Sequence, residues 1–236
     1  MTKQPINTEL ALERLVQLSV SGDRVATRAF IDQVQIHGMG AHELATDIYW
    51  PTLQAITRLW RHDQMSALAY RYSTRLIRML VDQVQALYDQ APRNGRRLVC
   101  ICGPSECEDL AGQLCADLLE AAGYEVLFAG GGVASDEILS EVGQRRPDAL
   151  VVFAAAASDA PAIRQLIDSI RTIGADPNLP IVCGGGVFAR APGLAEEIGA
   201  DATADDPMAL ERMVRCALAS PRRVAAVKPQ RRAAVA

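Results

Sequence analysis

LVCICGPSECEDLAGQL, residues 98–114, opens on an unbroken apolar run and passes through a small polar turn into residues with helical spacing. A short run with no polar alternation is what a strand buried on both faces requires, so this stretch reads as strand, turn and helix: one unit of a parallel sheet covered by helices. Gly103, Ser105, Glu106, Cys107 and Glu108 occupy the turn. Acidic residues at the start of a helix are favoured by its dipole, so capping alone accounts for them. The alternative is that Glu108 or Cys107 points out of the turn toward a ligand.

The same unit recurs downstream. YEVLFAG (124–130), ALVVFAAA (149–156) and PIVCGGG (180–186) are further buried strands, with a fifth short one at 200–203. Helices are expected near 108–122, 135–145, 159–174, 190–198 and 207–219. In such a sheet the ligand lies outside the carboxyl ends of the strands, so the turns at 103–108, 130–135, 154–158 and 184–188 face one crevice. GGG at 130–132, GGG at 184–186 and AAAAS at 154–158 strip side chains from those ends. Glycines can simply serve tight turns, but together these runs suit a wide, flat ligand that approaches the backbone closely. No GxGxxG follows a strand, and there is no GxxxxGK[ST] phosphate loop.

Upstream of residue 92 the period is helical. Breaks at Ser21-Gly22-Asp23, Gly38-Met39-Gly40 and His62-Asp63-Gln64 leave four helices, and the short connections favour an antiparallel bundle. The first turns Leu10, Leu12, Leu15, Val16 and Leu18 inward, and the fourth does so with Leu68, Leu76, Ile77, Leu80, Val84 and Leu87. Pro51 should kink or break the third. The expected organisation is a four-helix bundle at 1–91, a linker at 92–97, a flavodoxin-like (Rossmann-type) α/β domain at 98–219 and a disordered basic tail at 220–236.

Half of the 236 residues are hydrophobic and the formal charge is -4. That excludes a globally basic nucleic-acid binder, leaving only the tail, with Arg222, Arg223, Lys228, Arg231 and Arg232, as a place for nucleic acid or an acidic partner. The N-terminus lacks the apolar core of a signal peptide and no stretch is long enough to span a membrane, so a cytoplasmic protein is expected. The six cysteines show no CxxC spacing and read as reduced, buried residues, Cys107 in the turn excepted.

A helical cap, a linker and a flavodoxin-like domain resemble the cobalamin-binding module of methionine synthase, of small corrinoid proteins and of light-sensing cobalamin-dependent regulators. IYWPTLQAITRLWRHDQMSALAYRYST (48–74) is similar to the third and fourth cap helices, with Trp60 at the place of the tryptophan that lies over the corrin. VLFAGGGVASDEIL (126–139), RRPDALVVFAA (145–155) and PIVCGGGVFA (180–189) resemble the strands and glycine turns that hold the cofactor and its nucleotide tail. The resemblance implies that Trp60, Gly103, Ser105, Glu108, Gly130, Gly131, Ala154, Gly184, Gly185 and Gly186 line a cofactor slot. Trp60 would hang over its rim.

The departures are specific. The family's Asp/Glu-x-His-x-x-Gly loop supplies the lower cobalt ligand, whereas Glu106-Cys107-Glu108-Asp109-Leu110-Ala111 stands here. Carboxylate is a poorer ligand than imidazole for this metal, so displacement of the cofactor's own base is not expected. Where the regulators carry Glu-His after the tryptophan, Tyr70 and Arg71 appear, and the third strand ends on Phe153 or Ala154 in place of serine. The three histidines, His37, His42 and His62, all lie in the helical half. His62 could reach a metal from above, and a Cys107 thiolate could ligate cobalt or haem iron. Bundle packing accounts equally well for Trp60, Tyr49 and Trp50, as it generally does for aromatic residues on such helices.

The reading that results is a sensor or regulator binding cobalamin with its base retained, or a haem or bilin in the same slot, and signalling through movement of the cap. Protein catalysis finds no base or nucleophile in the crevice. The alternatives are a corrinoid methyl carrier with a methyltransferase partner, and a cofactor-free interaction scaffold. A homodimer through the bundle is possible.

Overall fold

A computed structural model describes residues 7–103, 106–173 and 176–219, and side chains throughout these except at 106–108 and 173. The expected basic tail and Ser105 lie outside the described residues, as do the side chains of Cys107 and Glu108. The helical half comprises α1 (Thr8–Ser21), α2 (Arg24–Ile36), a single turn α3 (Ala41–Glu43), α4 (Trp50–Arg61) and α5 (Ala67–Gln85). Its boundaries follow from local chemistry. Asn7 and Asp23 each accept two backbone N–H bonds at the starts of α1 and α2, and Ser66 accepts one from Ala69 at the start of α5. Gly22 ends α1 at φ 73°, a conformation glycine adopts without penalty.

Pro51 acts on the turn before it. Residues Leu44–Tyr49 form a π-helical segment joining α3 to α4, with the Trp50 N–H donating to Ala45 O, and Pro51 sits in the first turn of α4, where its missing N–H is not needed. The bundle core closes on Leu15, Ile31, Ile48, Ile56, Ile77 and Leu80. Leu10, Leu68 and Leu87 are exposed instead of inward. They stand in the first turns of α1 and α5 and just past the end of α5, where neighbouring helices no longer cover them.

The second half is a five-stranded parallel sheet in the order β2-β1-β3-β4-β5, with β1 (Arg97–Cys102), β2 (Glu125–Gly130), β3 (Ala149–Phe153), β4 (Ile181–Gly184) and β5 (Ala202–Ala204). Alternation sends Leu98, Cys100, Cys102, Val151 and Phe153 to one face, under α6 (Glu106–Ala121) and α11 (Pro207–Ala219). Val99, Ile101, Leu150 and Val152 face α7 (Ser135–Arg145) and α8 (Ala160–Ile173). Both faces are buried, which is why the strands read as continuous apolar runs. The helix expected over 190–198 is two pieces, α9 (Gly186–Arg190) and α10 (Leu194–Glu197), because Pro192 and Gly193, the latter at φ 88°, interrupt it.

The connection between the halves is pinned. Ala91 N–H donates to Ala121 O and Asn94 N–H to Gly123 O, while the Arg93 guanidinium reaches Tyr124 O and Glu120. The bundle lies on the α6 face of the sheet. Across that contact Arg78 donates to Gln113 Oε1 at 2.7 Å, and the Gln113 amide donates to Asp82 at 2.6 Å. Asp117, one turn further along α6, has a buried Oδ2 without a partner. Burial, then Asp82 and Glu120, push its carboxyl up to about 7.

Candidate functional site

The strand order reverses around β1, so the crevice opens above the adjacent carboxyl ends of β1 and β3. There α4 of the bundle meets the sheet. Trp50, Leu53, Gln54 and Thr57, at successive helical spacings, look down on Ala154, Ala155, Gly185 and Gly186, with Ala111 and Phe153 at the side of α6. The floor is backbone. A Cβ on Gly185 would stand 2.5 Å from Ala154 O, and at φ 104° no other residue fits comfortably. Gly103 N–H donates to Phe153 O, Ala154 N–H to Gly184 O and Val187 N–H to Ala154 O, which ties the turns after β1, β3 and β4 into one platform.

The pocket between α4 and these turns is narrow, with a free volume of about 40 Å3, little more than the roughly 30 Å3 share of one water. Two guanidinium groups hold the mouth. Arg190 lies across Gly186 and donates to Ala155 O, and Arg61, from the end of α4, reaches the same carbonyl at 3.5 Å. The wall chemistry, aromatic and aliphatic above and bare backbone below with Gln54, Thr57 and Arg190 at the edges, suits a planar macrocycle fringed with amides.

Beside the crevice, Phe153 is 2 % exposed and its ring lies between two glycines. A Cβ on Gly112 would approach it to 3.1 Å and one on Gly184 to 3.3 Å, and the Gly112 Cβ would also collide with Cys102 Sγ. The glycine of α6 pressed on the sheet is therefore Gly112, one residue beyond Ala111. Asp109 takes the inward place one turn before it, its Oδ1 buried without a partner and 2.9 Å from where a Cβ on Gly131 would be.

The structure gathers Gly103, Gly130, Gly131, Ala154, Gly184, Gly185 and Gly186 at the carboxyl edge of the sheet. Trp60 is 37 % exposed and stacks on Tyr70, ring centroids 5.0 Å apart, at the end of α4. Trp50, not Trp60, faces the crevice. His62 caps α4 and is exposed. Among the described residues no cluster of three or more His, Cys, Asp or Glu side chains could hold a metal ion, and no helix is long and apolar enough to cross a membrane. No motif in the sequence singles out Trp50, Arg61 or Arg190 as residues of the crevice. The face shared by Trp50, Leu53, Gln54 and Thr57 was available from helical spacing, whereas the convergence of the two arginines on Ala155 O depends on tertiary packing.

A helical cap closed over the carboxyl ends of a flavodoxin-like sheet defines a class of cofactor-binding module, and the comparisons agree with it. Residues 96–210 match the family model described as the B12 binding domain. No curated protein matches the sequence significantly. Among solved structures, the monomethylamine corrinoid protein of Methanosarcina barkeri is similar at 15 % identity and a TM-score of 0.76, over 89 % of this chain and 99 % of that one. A cobalamin-binding protein of Desulfitobacterium hafniense matches at 15 % identity and a TM-score of 0.46, over 89 % of this chain and 97 % of that one. The methanol:cobalamin methyltransferase complex MtaBC of Methanosarcina barkeri matches at 16 % identity and a TM-score of 0.49, over 92 % and 83 %.

Proposed function

We propose that the chain is a cobalamin-dependent sensor or regulator that binds cobalamin with its own base still coordinated, between α4 and the carboxyl ends of the strands. The observation that carries the base-retained state is Phe153. Its ring fills the space between α6 and β4, flanked by Gly112 and Gly184, that a displaced base would need. The turn beneath the crevice offers carboxylates and a thiol and no imidazole, which weakens the case for a protein lower ligand.

In this reading Trp50 and Leu53 cover the upper face of the ring, with Trp60 at the rim, and Gln54, Thr57 and Arg190 bond its peripheral amides. Ala154, Ala155 and the glycines 130, 131 and 184–186 would let the ring meet backbone, and Gly103 lies in the same group of turns; Ser105 and Glu108 remain candidates from the sequence. When bound, cobalamin supplies a light- and redox-sensitive cobalt–carbon or cobalt–oxygen bond. The chain's contribution is to hold the ring and to move. On this reading binding would displace Arg61 from Ala155 O and move α4 relative to the sheet, and that movement would be the signal passed to a partner. His62 would be the candidate for a ligand from above, and a Cys107 thiolate would be one only for a metal whose position the base does not fill, as in a haem.

A second reading is a corrinoid methyl carrier with a methyltransferase partner. The likeness over nearly the full length of both chains to the monomethylamine corrinoid protein favours its architecture. Titration of the purified protein in the dark with hydroxo-, methyl- and adenosylcobalamin, and with haem and biliverdin, tests the first reading. Cobalamin should survive desalting with a base-coordinated spectrum. Retention of haem or biliverdin alone, or of nothing, refutes it, and methyl transfer to or from a methyltransferase encoded beside it would establish the second.

A further inference from the structure

A second cavity lies within the bundle, away from the crevice. It has a volume of about 280 Å3 and opens to solvent between α2, the π-helical turn and α5. That is about the bulk of nine waters at roughly 30 Å3 each, enough for a small metabolite. Its floor includes Tyr49, a residue 1 % exposed. The Tyr49 hydroxyl can donate or accept one hydrogen bond to a ligand in that space. Burial, then Tyr88 and Asp32, push the Tyr49 phenol above its ordinary value, and Asp32 lines the same cavity.

The walls carry opposite charges. Arg28 and Asp32 are one turn apart on α2, a spacing at which such residues commonly pair, yet no ion pair joins them among the described residues. The Arg28 guanidinium instead approaches Met79 Sδ at 3.7 Å. Gln35 and Gln83 add amide donors and acceptors across the opening, and Val84 supplies a buried apolar wall.

We propose that this cavity is a binding site for a compact zwitterion of the ω-amino-acid kind. Its ammonium lies between Asp32 and the Tyr49 hydroxyl oxygen, its carboxylate lies on Arg28, and its methylene chain lies against Val84. Arg28 and Asp32 stand about one helical turn apart along α2, a rise of about 5.4 Å, so two separated charges on one ligand can each meet a partner. The cavity shares the π-helical turn with the start of α4, whose next residue, Trp50, faces the crevice. Occupancy of the one site therefore bears on the geometry of the other.

Calorimetric titration of the full chain with γ-aminobutyrate and ε-aminocaproate, alongside n-butylamine and butyrate, tests this. Saturable binding of at least one zwitterion is expected at millimolar affinity or better, with each singly charged analogue about tenfold weaker or more. Asp32→Asn and Arg28→Gln, both on the exposed rim, should each weaken zwitterion binding by about tenfold, and Tyr49→Phe by roughly three- to tenfold. Absence of saturable binding at about 20 mM, equal binding of butylamine or butyrate, or an unchanged affinity in Asp32→Asn would overturn the assignment. The outcome does not depend on cobalamin, since the titration is run without it.

Discussion

Replacing Phe153 with alanine removes a ring that is 2 % exposed and wedged between Gly112 and Gly184. Truncating a buried phenylalanine costs about 3–5 kcal/mol, and the cost depends on how far the surroundings collapse into the void. Here the two nearest backbones carry no side chains that could swing inward, and β3 is held on both sides by its ladders to β1 and β4. The loss should therefore lie near the upper part of that range, about 4 kcal/mol, a large share of a stability that is typically about 5–15 kcal/mol. Urea unfolding of the cofactor-free protein, followed by circular dichroism, measures it as a fall in midpoint at unchanged slope. Phe153→Leu, which keeps most of the volume, should cost less than about 1.5 kcal/mol. The same void should admit a benzimidazole, so cobalamin bound to Phe153→Ala should show a base-displaced fraction absent from the parent. A loss below about 1 kcal/mol, or identical cofactor spectra for the two proteins, would refute the claim that this ring closes the base site.

Asp117 makes stability fall with rising pH. Its folded pKa, about 7 against an ordinary 3.8, means that the folded chain holds this proton more tightly than the unfolded one. The stabilisation is full below about pH 4 and is lost as pH rises through 7. Allowing for partial exposure it amounts to roughly 1–2 kcal/mol, and Asp117→Asn should flatten the dependence in unfolding curves taken across that window. Arg61→Ala, which frees one contact at the mouth of the crevice, should speed cobalamin uptake about two- to fivefold in stopped-flow absorbance, with little change in stability. Gly131→Ala would drive a Cβ into Gly103 O and toward Asp109 and should cost about 1–3 kcal/mol in urea unfolding. Gly132→Ala meets nothing within 4 Å and bears only the strain of φ 75°, about 1 kcal/mol.

The strands were legible because burial on both faces writes itself as runs such as LVCIC and ALVVF, and the glycine turns because bare backbone at strand ends has few other uses. Asn7, Asp23 and Ser66 cap their helices by local hydrogen bonds that composition alone suggests. The less legible features depend on distant residues. Whether Trp50 or Trp60 faces the sheet is set by the π-helical turn before Pro51, which inserts an extra residue into the helical repeat. Whether Ala111 or Gly112 presses on β1 depends on where α6 begins, and a one-residue difference there changes which acidic side chain turns inward. Asp109, not Glu108, lies beside Gly131 for that reason. Phe153 stood in the sequence as a serine replaced; only packing shows what its ring excludes.

The central claim concerns the nitrogen below cobalt. Protein labelled uniformly with the heavy nitrogen isotope, loaded with unlabelled cobalamin and reduced to the cobalt(II) state, reports that nitrogen directly in its paramagnetic resonance spectrum. A retained cofactor base, carrying ordinary nitrogen, splits each cobalt line into a triplet, and that is the expected result. A doublet, which a labelled histidine of the protein would give, or the unsplit spectrum of a displaced base, would contradict the account.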